Sequence, residues 1–372
     1  MVISRTRRSQ QDSVQAQRAD SGFEFSGPKV LVLGVGGAGC NSVNRIQGMG
    51  LQTAQLVACN TDKQHLATID DELTKLLIGK SITQGMGAGG HVDVGERCAE
   101  ASRKALEEVL GATDLLFLVA GMGGGTGTGA CPVIARIAKE QGSIVIGIVT
   151  YPFALERSRV VKAELGIAEL TRVSDSVVII DNNRFVELVP NLPMNEAFKV
   201  VDEVIARCVR GITESMTQPG LINLDFADVK AVLENKGIGM LAVGESADQA
   251  NRVEAVVNDT LDNALLDVDI SGATGCLIHI TGGSGLTLGE ANSIGELLTK
   301  EIDPGANVIW GARVDPNFGN KIEVIAIFAG VQSSLVSKVT GPQYDPSNVV
   351  KPGEWGVKRL KALKGADGII EL

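Results

Sequence analysis

Short, unbroken apolar runs recur along the first half of the chain. Val30-Leu31-Val32-Leu33, Leu56-Val57-Ala58-Cys59, Leu76-Leu77-Ile78 and the stretches 115–120, 144–149 and 177–180 are all of strand length. They are apolar at consecutive rather than alternate positions, as fits strands buried on both faces of a parallel sheet. Between them lie segments of helical spacing, among them one with Val43 and Ile46 on one face, one over 95–110 and a charged one opening with Glu156 and Arg159. This alternation through residue 180 predicts a three-layer, Rossmann-like α/β domain over 28–192.

Residues 193–217 carry another pattern. Met194, Ala197, Phe198, Val201, Val204, Ile205, Cys208, Val209, Ile212 and Met216 recur at intervals of three and four. That is the stripe of a long helix packed along its length, started by Pro193 and ended by Pro219-Gly220. Asp202 shares a face with Phe198. A carboxylate in such a band needs water or a partner. Asp202 therefore reads either as an edge residue in water or as an acceptor for a ligand, with Phe198 stacking beside it. Beyond the helix, strands are expected at 238–243, 275–280, 308–314 and 322–328, with helices at 247–263 and 287–302. These make 220–332 a smaller α+β domain joined to the first by the central helix. Residues 1–27 have no periodicity and read as a flexible arm. Residues 333–372 read as a flexible tail, whose basic stretch 355–364 and apolar end suit docking to a partner.

The candidate chemistry lies in three glycine loops, each after a separate strand. Gly34-Val35-Gly36-Gly37-Ala38-Gly39 matches G-x-G-x-x-G, and Asn60-Thr61-Asp62 follows the next strand. The second loop is 85–90, with Ala88 and Gly89. The third, Gly-Met-Gly-Gly-Gly-Thr-Gly-Thr-Gly over 121–129, joins a strand to a helix expected from Ala130, with Pro132 in its first turn. Glycine backbone can approach an anion closely, and a helix N-terminus favours negative charge. Alone, the first loop also fits an NAD-dependent oxidoreductase. Three loops instead suggest a longer phosphate chain gripped from several sides. Gly79-Lys80-Ser81 is not a Walker A loop, because Thr74 stands where its first glycine belongs.

Leu221, Leu224, Phe226 and Val229 are expected to pin a loop presenting Asn223, Asp225 and Asp228. The two carboxylates suit polarising a water or holding a cation, and Asp225 equally suits capping a helix from Phe226. The residues alone leave both open.

Composition narrows the classes. The 372 residues give room for two domains, and 44% hydrophobic content supports large cores. A net charge of −10 argues against nucleic acid as the main partner. Cys40, Cys59, Cys98, Cys131, Cys208 and Cys276 are scattered without C-x-x-C, as expected of buried thiols in a reducing cytosol. His65, His91 and His279 form no metal-spaced cluster. No apolar core follows Arg5, Arg7 and Arg8, and no run approaches a membrane span in length.

Gly123 to Gly129 resembles the signature of the tubulin/FtsZ superfamily of GTP-dependent filament proteins. The loops at 34–39 and 85–90, Asn60-Thr61-Asp62, Pro152-Phe153 with Glu156, and the segment 220–230 stand in the order of that family. The resemblance spans roughly 28–332. It implies that Gly36, Gly37, Ala38, Gly39, Asn41, Asn60, Asp62, Ala88, Gly89, Gly124, Gly125, Thr126, Gly127 and Thr128 surround the phosphates and part of the nucleoside of GTP or GDP. Glu156 and Arg159 would approach the ribose, although Glu156-Arg157-Ser158-Arg159 is one residue shorter than the family's pattern. Asn182 or Asn183, with Phe198 and Asp202, would recognise guanine. Asn223, Asp225 and Asp228 would complete the site of the next subunit. The resemblance further implies Mg²⁺ on the phosphates without dedicated protein ligands, head-to-tail self-assembly, and a cytoplasmic ring at the division site. A membrane tether of FtsA or SepF type would bind the tail, although the tail departs from the usual terminal peptide. The alternative within the superfamily is a cytoskeletal paralogue acting in cell shape.

Overall fold

The computed structural model describes residues 27–331, apart from 52, 218, 219, 223, 235, 236, 249, 250 and 267 and the side chains of 194 and 195. The expected arm, save Gly27, and the tail lie outside the described residues. The chain opens with β1 (Val30–Val35), α1 (Gly36–Gly48), β2 (Gln55–Asn60), α2 (Lys63–Ala67), β3 (Thr74–Leu77) and α3 (Lys80–Thr83). Then come α4 (Val92–Ala101), α5 (Arg103–Leu110), β4 (Leu115–Gly121), α6 (Thr126–Glu140), β5 (Ile144–Tyr151), α7 (Arg157–Val173), β6 (Ser176–Asp181) and α8 (Asn182–Leu188). The long helix is α9 (Met194–Thr217), followed by α10 (Phe226–Leu233), β7 (Gly237–Ser246), α11 (Arg252–Asp262), β8 (Gly275–Gly282), α12 (Leu288–Leu298), β9 (Asn307–Val314) and β10 (Ile322–Ala329).

The strands form one sheet in the order β3-β2-β1-β4-β5-β6-β7-β10-β8-β9. The first six are parallel. β7 continues that sense through a short pairing of Ser176, Val177 and Val178 with Gly237, Ile238 and Gly239. β10 then runs antiparallel to β7 and β8, and β9 lies parallel to β8. The smaller α+β unit is therefore joined to the first by backbone pairing as well as by the long helix.

The pleat divides the core between the two faces. Leu31, Leu33 and Val35 enter one apolar layer with Ile134 and Ile137 of α6, while Val30 and Val32 enter the other with Val43 and Ile46 of α1. Val201, Ile205, Val209 and Ile212 of α9 lie in that second layer beside Leu241, Leu277 and Ile325 of the later strands. The stripe read from the sequence thus buries the long helix against both halves. All six cysteines are buried and free. Among the described residues, no helix is long and apolar enough to cross a membrane.

Three local expectations change. The helix expected over 95–110 is two, because Ser102 leaves helical geometry (φ −104°, ψ 13°) and its hydroxyl accepts from the Gly79 N–H at 2.9 Å. Helix α6 begins at Thr126, so Pro132 lies in its second turn rather than its first, and the Thr128 carbonyl lacks the usual donor four residues on. The glycines make the earlier start possible. A Cβ on Gly129 would meet the Val92 carbonyl oxygen at 2.0 Å, so α4 and α6 touch backbone to backbone. Leu221 does not pin its loop; it is 64% exposed, while Leu224 and Val229 are buried.

Candidate functional site

A cleft of about 550 Å³ opens at the carboxyl ends of β1, β4 and β5, where ligands bind in open α/β sheets. Gly36, Gly37, Ala38, Asn41, Gly124, Gly125, Thr126, Gly127, Glu156, Arg159, Asn182, Phe198 and Asp202 line it. The sequence thus brings residues from widely separated segments to one wall-to-wall site.

The floor is backbone. Gly36 has φ +74°, and a Cβ there would sit 3.0 Å from the Gly127 amide nitrogen, so the first and third loops meet. Gly123, at φ +98°, backs onto Arg159, whose Cβ lies 2.7 Å from where its own would be. Around the corresponding position at Gly124 there is open space, which leaves its backbone bare to the cleft. Above the first turn of α6 this forms a concave, donor-rich surface suited to a phosphate chain.

Six predicted residues do not line the cleft and instead hold its loops. Gly39 lets α1 approach β4, because a Cβ there would be 2.2 Å from the Val119 carbonyl oxygen. The buried Asn60 side chain accepts from the Thr61 N–H at 2.8 Å. Asp62 caps α2, accepting from the Gln64 and His65 amides at 2.9 and 3.1 Å. Ala88 is buried against Gly125, and Gly89 takes φ +59° in an exposed turn. Thr128 is buried, its hydroxyl accepting from the Gly123 N–H at 2.9 Å, which fixes the third loop's shape.

The far wall is built for a flat, polar-edged group. Phe198 is 37% exposed and meets Phe153 edge to face, with ring centroids 6.4 Å apart. Asp202 is buried beneath it. Ser42 donates to its Oδ1 and Arg45 to its Oδ2. Burial pushes the Asp202 carboxyl above its ordinary range, opposed by the bonds from Ser42 and Arg45 and by the Arg45 charge. Asn182 lines the cleft, whereas the Asn183 amide is consumed in the scaffold. It donates to the Pro152 carbonyl and Asp181 and accepts from the Ala154 N–H. Glu156 pairs with Arg159 at 2.7 Å.

Sequence reasoning gave no site role to Ser42, Arg45 or His65 and named Phe153 only within its motif, yet all four line the cleft. Thr61 was quoted only within its motif, yet its hydroxyl meets that of Thr126 at 2.7 Å and ties the second strand's loop to the third. Arg45 follows Asn41 by four positions and Ser42 by three, so extending the helix face from Asn41 would have found Arg45 and, through it, Ser42.

Among the described residues no cluster of His, Cys, Asp and Glu side chains could cage a metal ion. Of the carboxylates in the cleft, Glu156 pairs with Arg159, and Asp202 accepts from Ser42 and Arg45.

Asn223 lies outside the described residues. Asp225 caps α10, accepting from the Asp228 N–H at 2.7 Å, while the Asp228 carboxylate accepts from the Asp225 N–H at 3.4 Å. Capping, one of the two readings, is therefore present, and Asp225 also remains exposed. The segment is anchored far from the cleft, where Ile222 exchanges backbone hydrogen bonds with Ala312 of β9. From Asp202 to Thr217, α9 alone spans about 22 Å at 1.5 Å per residue.

Residues 29–190 match the model of the tubulin/FtsZ family GTPase domain, and 237–332 that of the FtsZ family C-terminal domain. The chain is 53% identical over 350 residues to cell division protein FtsZ 2 of Methanocaldococcus jannaschii, covering 93% of this chain and 91% of that relative. An empty FtsZ dimer from M. jannaschii superposes with a TM-score of 0.76 at 40% identity, covering 88% of this chain and 93% of the other. A CetZ2 protofilament from Haloferax volcanii with GTPγS bound superposes with a TM-score of 0.69 at 24% identity, over 84% and 96% of the two chains. At that identity the likeness concerns the fold alone.

Proposed function

The chain belongs to the tubulin/FtsZ family, and from that premise we propose that it is a GTPase of cell division whose active site is completed between subunits of a head-to-tail filament. The matched GTPase domain covers all three glycine loops, so the dinucleotide reading of the first loop falls away. Gly36, Gly37, Ala38, Gly124, Gly125, Thr126 and Gly127 cradle the phosphates with backbone and hydroxyl donors, and Asn41 faces the nucleotide beside them. Gly39, Asn60, Asp62, Ala88, Gly89 and Thr128 hold those loops. Glu156 and Arg159 border the ribose. Phe198 packs on the base, Asn182 meets its edge, and Asp202 accepts from the ring N–H and the exocyclic amine of guanine. Adenine offers no such donor pair. Mg²⁺ on the phosphates offsets their charge. Asp225 and Asp228, with Asn223, polarise the water that attacks the γ-phosphate bound by the neighbouring subunit. No side chain forms a covalent intermediate.

One observation carries the in-trans reading. The carboxylate loop is fixed beside Ser215 through the Leu224 N–H, about 20 Å along the packed helix α9 from Asp202 in the cleft. A chain that hydrolyses GTP with these carboxylates must borrow them from a second copy. Exposed apolar side chains support such a contact, with Met86 and Leu155 near the glycine loops and Leu221 beside the carboxylate loop. The tail is assigned to a membrane-tethering protein of FtsA or SepF type, which would bring the filament to a cytoplasmic ring at the division site.

The test is GTPase rate per protomer against protein concentration with Mg²⁺, with pelleting followed in the same samples. A rate near zero below a threshold and rising with pelleting is expected. A constant rate without pelleting would return Asp225 and Asp228 to capping alone. The second reading, a cytoskeletal paralogue, has in its favour the CetZ2 fold likeness. The higher identity to FtsZ 2 favours division, and localisation away from the division plane would reverse that choice.

A further inference from the structure

Asp202 sits at the back of the cleft with one side taken up. Ser42 and Arg45 lie three positions apart on one face of α1, and each reaches a different oxygen of the same carboxylate. A carboxylate offers about four acceptor directions. With two used by α1, about two remain, the number needed for the ring N–H and amino group of guanine. We propose that Arg45, aided by Ser42, is a positioning residue for base recognition. It acts through Asp202, aiming the carboxylate at the guanine edge and supplying its counter-charge. The inference rests on the reading of Asp202 as the guanine acceptor.

The charge argument follows from the surroundings. Asp202 is 6% exposed, and burial favours its neutral form. A protonated carboxyl would present one donor to the base and lose the paired acceptors. On α9 its neighbours in the cleft wall, Phe198 and Val201, are apolar. The cleft's other titratable side chains are His65, Glu156 and Arg159, and the last two pair with each other. Arg45 is the cation that bonds to Asp202.

The test measures GTP and ITP affinities of the full chain across roughly pH 5.5 to 8.5. Arg45→Met and Arg45→Lys are compared with the parent, and far-UV circular dichroism checks folding. Inosine lacks the 2-amino donor. At neutral pH, Arg45→Met should bind GTP about 10- to 100-fold more weakly, with a smaller loss for ITP. The decline in GTP affinity on acidification should begin at higher pH, because only the Ser42 bond then opposes the effect of burial. Arg45→Lys should return that decline toward the parent's position. A purely structural role predicts equal losses for both nucleotides at every pH, and that result, or parental affinity, overturns the proposal. Should Arg45→Met not fold, Ser42→Ala decides, with a smaller GTP-selective loss expected and no loss overturning it. Asp202→Asn separates the two levels. If it binds GTP like the parent, the guanine reading itself fails. If it binds weakly while Arg45→Met binds normally, only the role of Arg45 fails.

Discussion

Replacing Asp225 by Ala separates its two roles, because they predict effects of different kind and size. As a cap, Asp225 satisfies the Asp228 N–H, and its loss costs about 1 kcal/mol. Helix α10 should stay docked, since Val229, Val232 and Leu233 are buried, so melting should fall by only about 2–4 °C. The neighbouring Leu224 N–H bonds to the Ser215 carbonyl, about 20 Å along α9 from Asp202 at 1.5 Å per residue, so GTP affinity should match the parent. Turnover should drop about 10²- to 10⁴-fold, the range for losing a group that handles the attacking water's proton. Capping alone predicts the small melting change and no loss of turnover. The decisive assay mixes Asp225→Ala with Asp202→Ala, which keeps an intact loop but a damaged base site. Each alone should be nearly inactive. In an equal mixture, about one head-to-tail contact in four joins an intact cleft to an intact loop, so about a quarter of parental turnover should return. A mixture that pellets together yet stays inactive would refute the in-trans argument, as would parental turnover by Asp225→Ala alone.

Two further outcomes follow from the scaffold. His279 is buried between Ser215 of α9 and Thr281, at 2.5 and 2.9 Å, and burial lowers its pKa from 6.5 to about 4. The unfolded chain then binds a proton that the native state refuses, so stability should fall as pH drops from 6.5 toward 4, by up to about 3 kcal/mol; urea midpoints of His279→Gln should lose that component, and an unchanged slope would count against it. Gly39→Ala forces a methyl to 2.2 Å from the Val119 carbonyl oxygen and should cost at least about 2 kcal/mol, read as a lower urea midpoint with weakened GTP binding, whereas parental values in both would show that α1 can lift from β4 freely.

The fold class was legible because its signals are local and redundant. Runs such as 115–120 and 144–149 are too apolar for anything but a doubly covered strand, and the stripe of α9 repeats over six turns. The glycine loops were legible too, since each sits at a strand's end, where a parallel sheet gathers its ligands. Period and glycine placement are properties of the chain itself. The pairing of β6 with β7 was not legible, because strand order depends on which edges meet in space. Nor was the division among the predicted residues. Thr126 and Thr128 are two positions apart in one motif, yet one lines the cleft and the other turns inward to hold Gly123. Asn182 and Asn183 divide in the same way between cleft and scaffold. Composition names donors without saying where they point. Arg45 and Asp202 are 157 positions apart, and only the packing of α1 against α9 makes them partners. A buried charge is stable only where the tertiary structure brings its counter-charge, and no local pattern records that meeting.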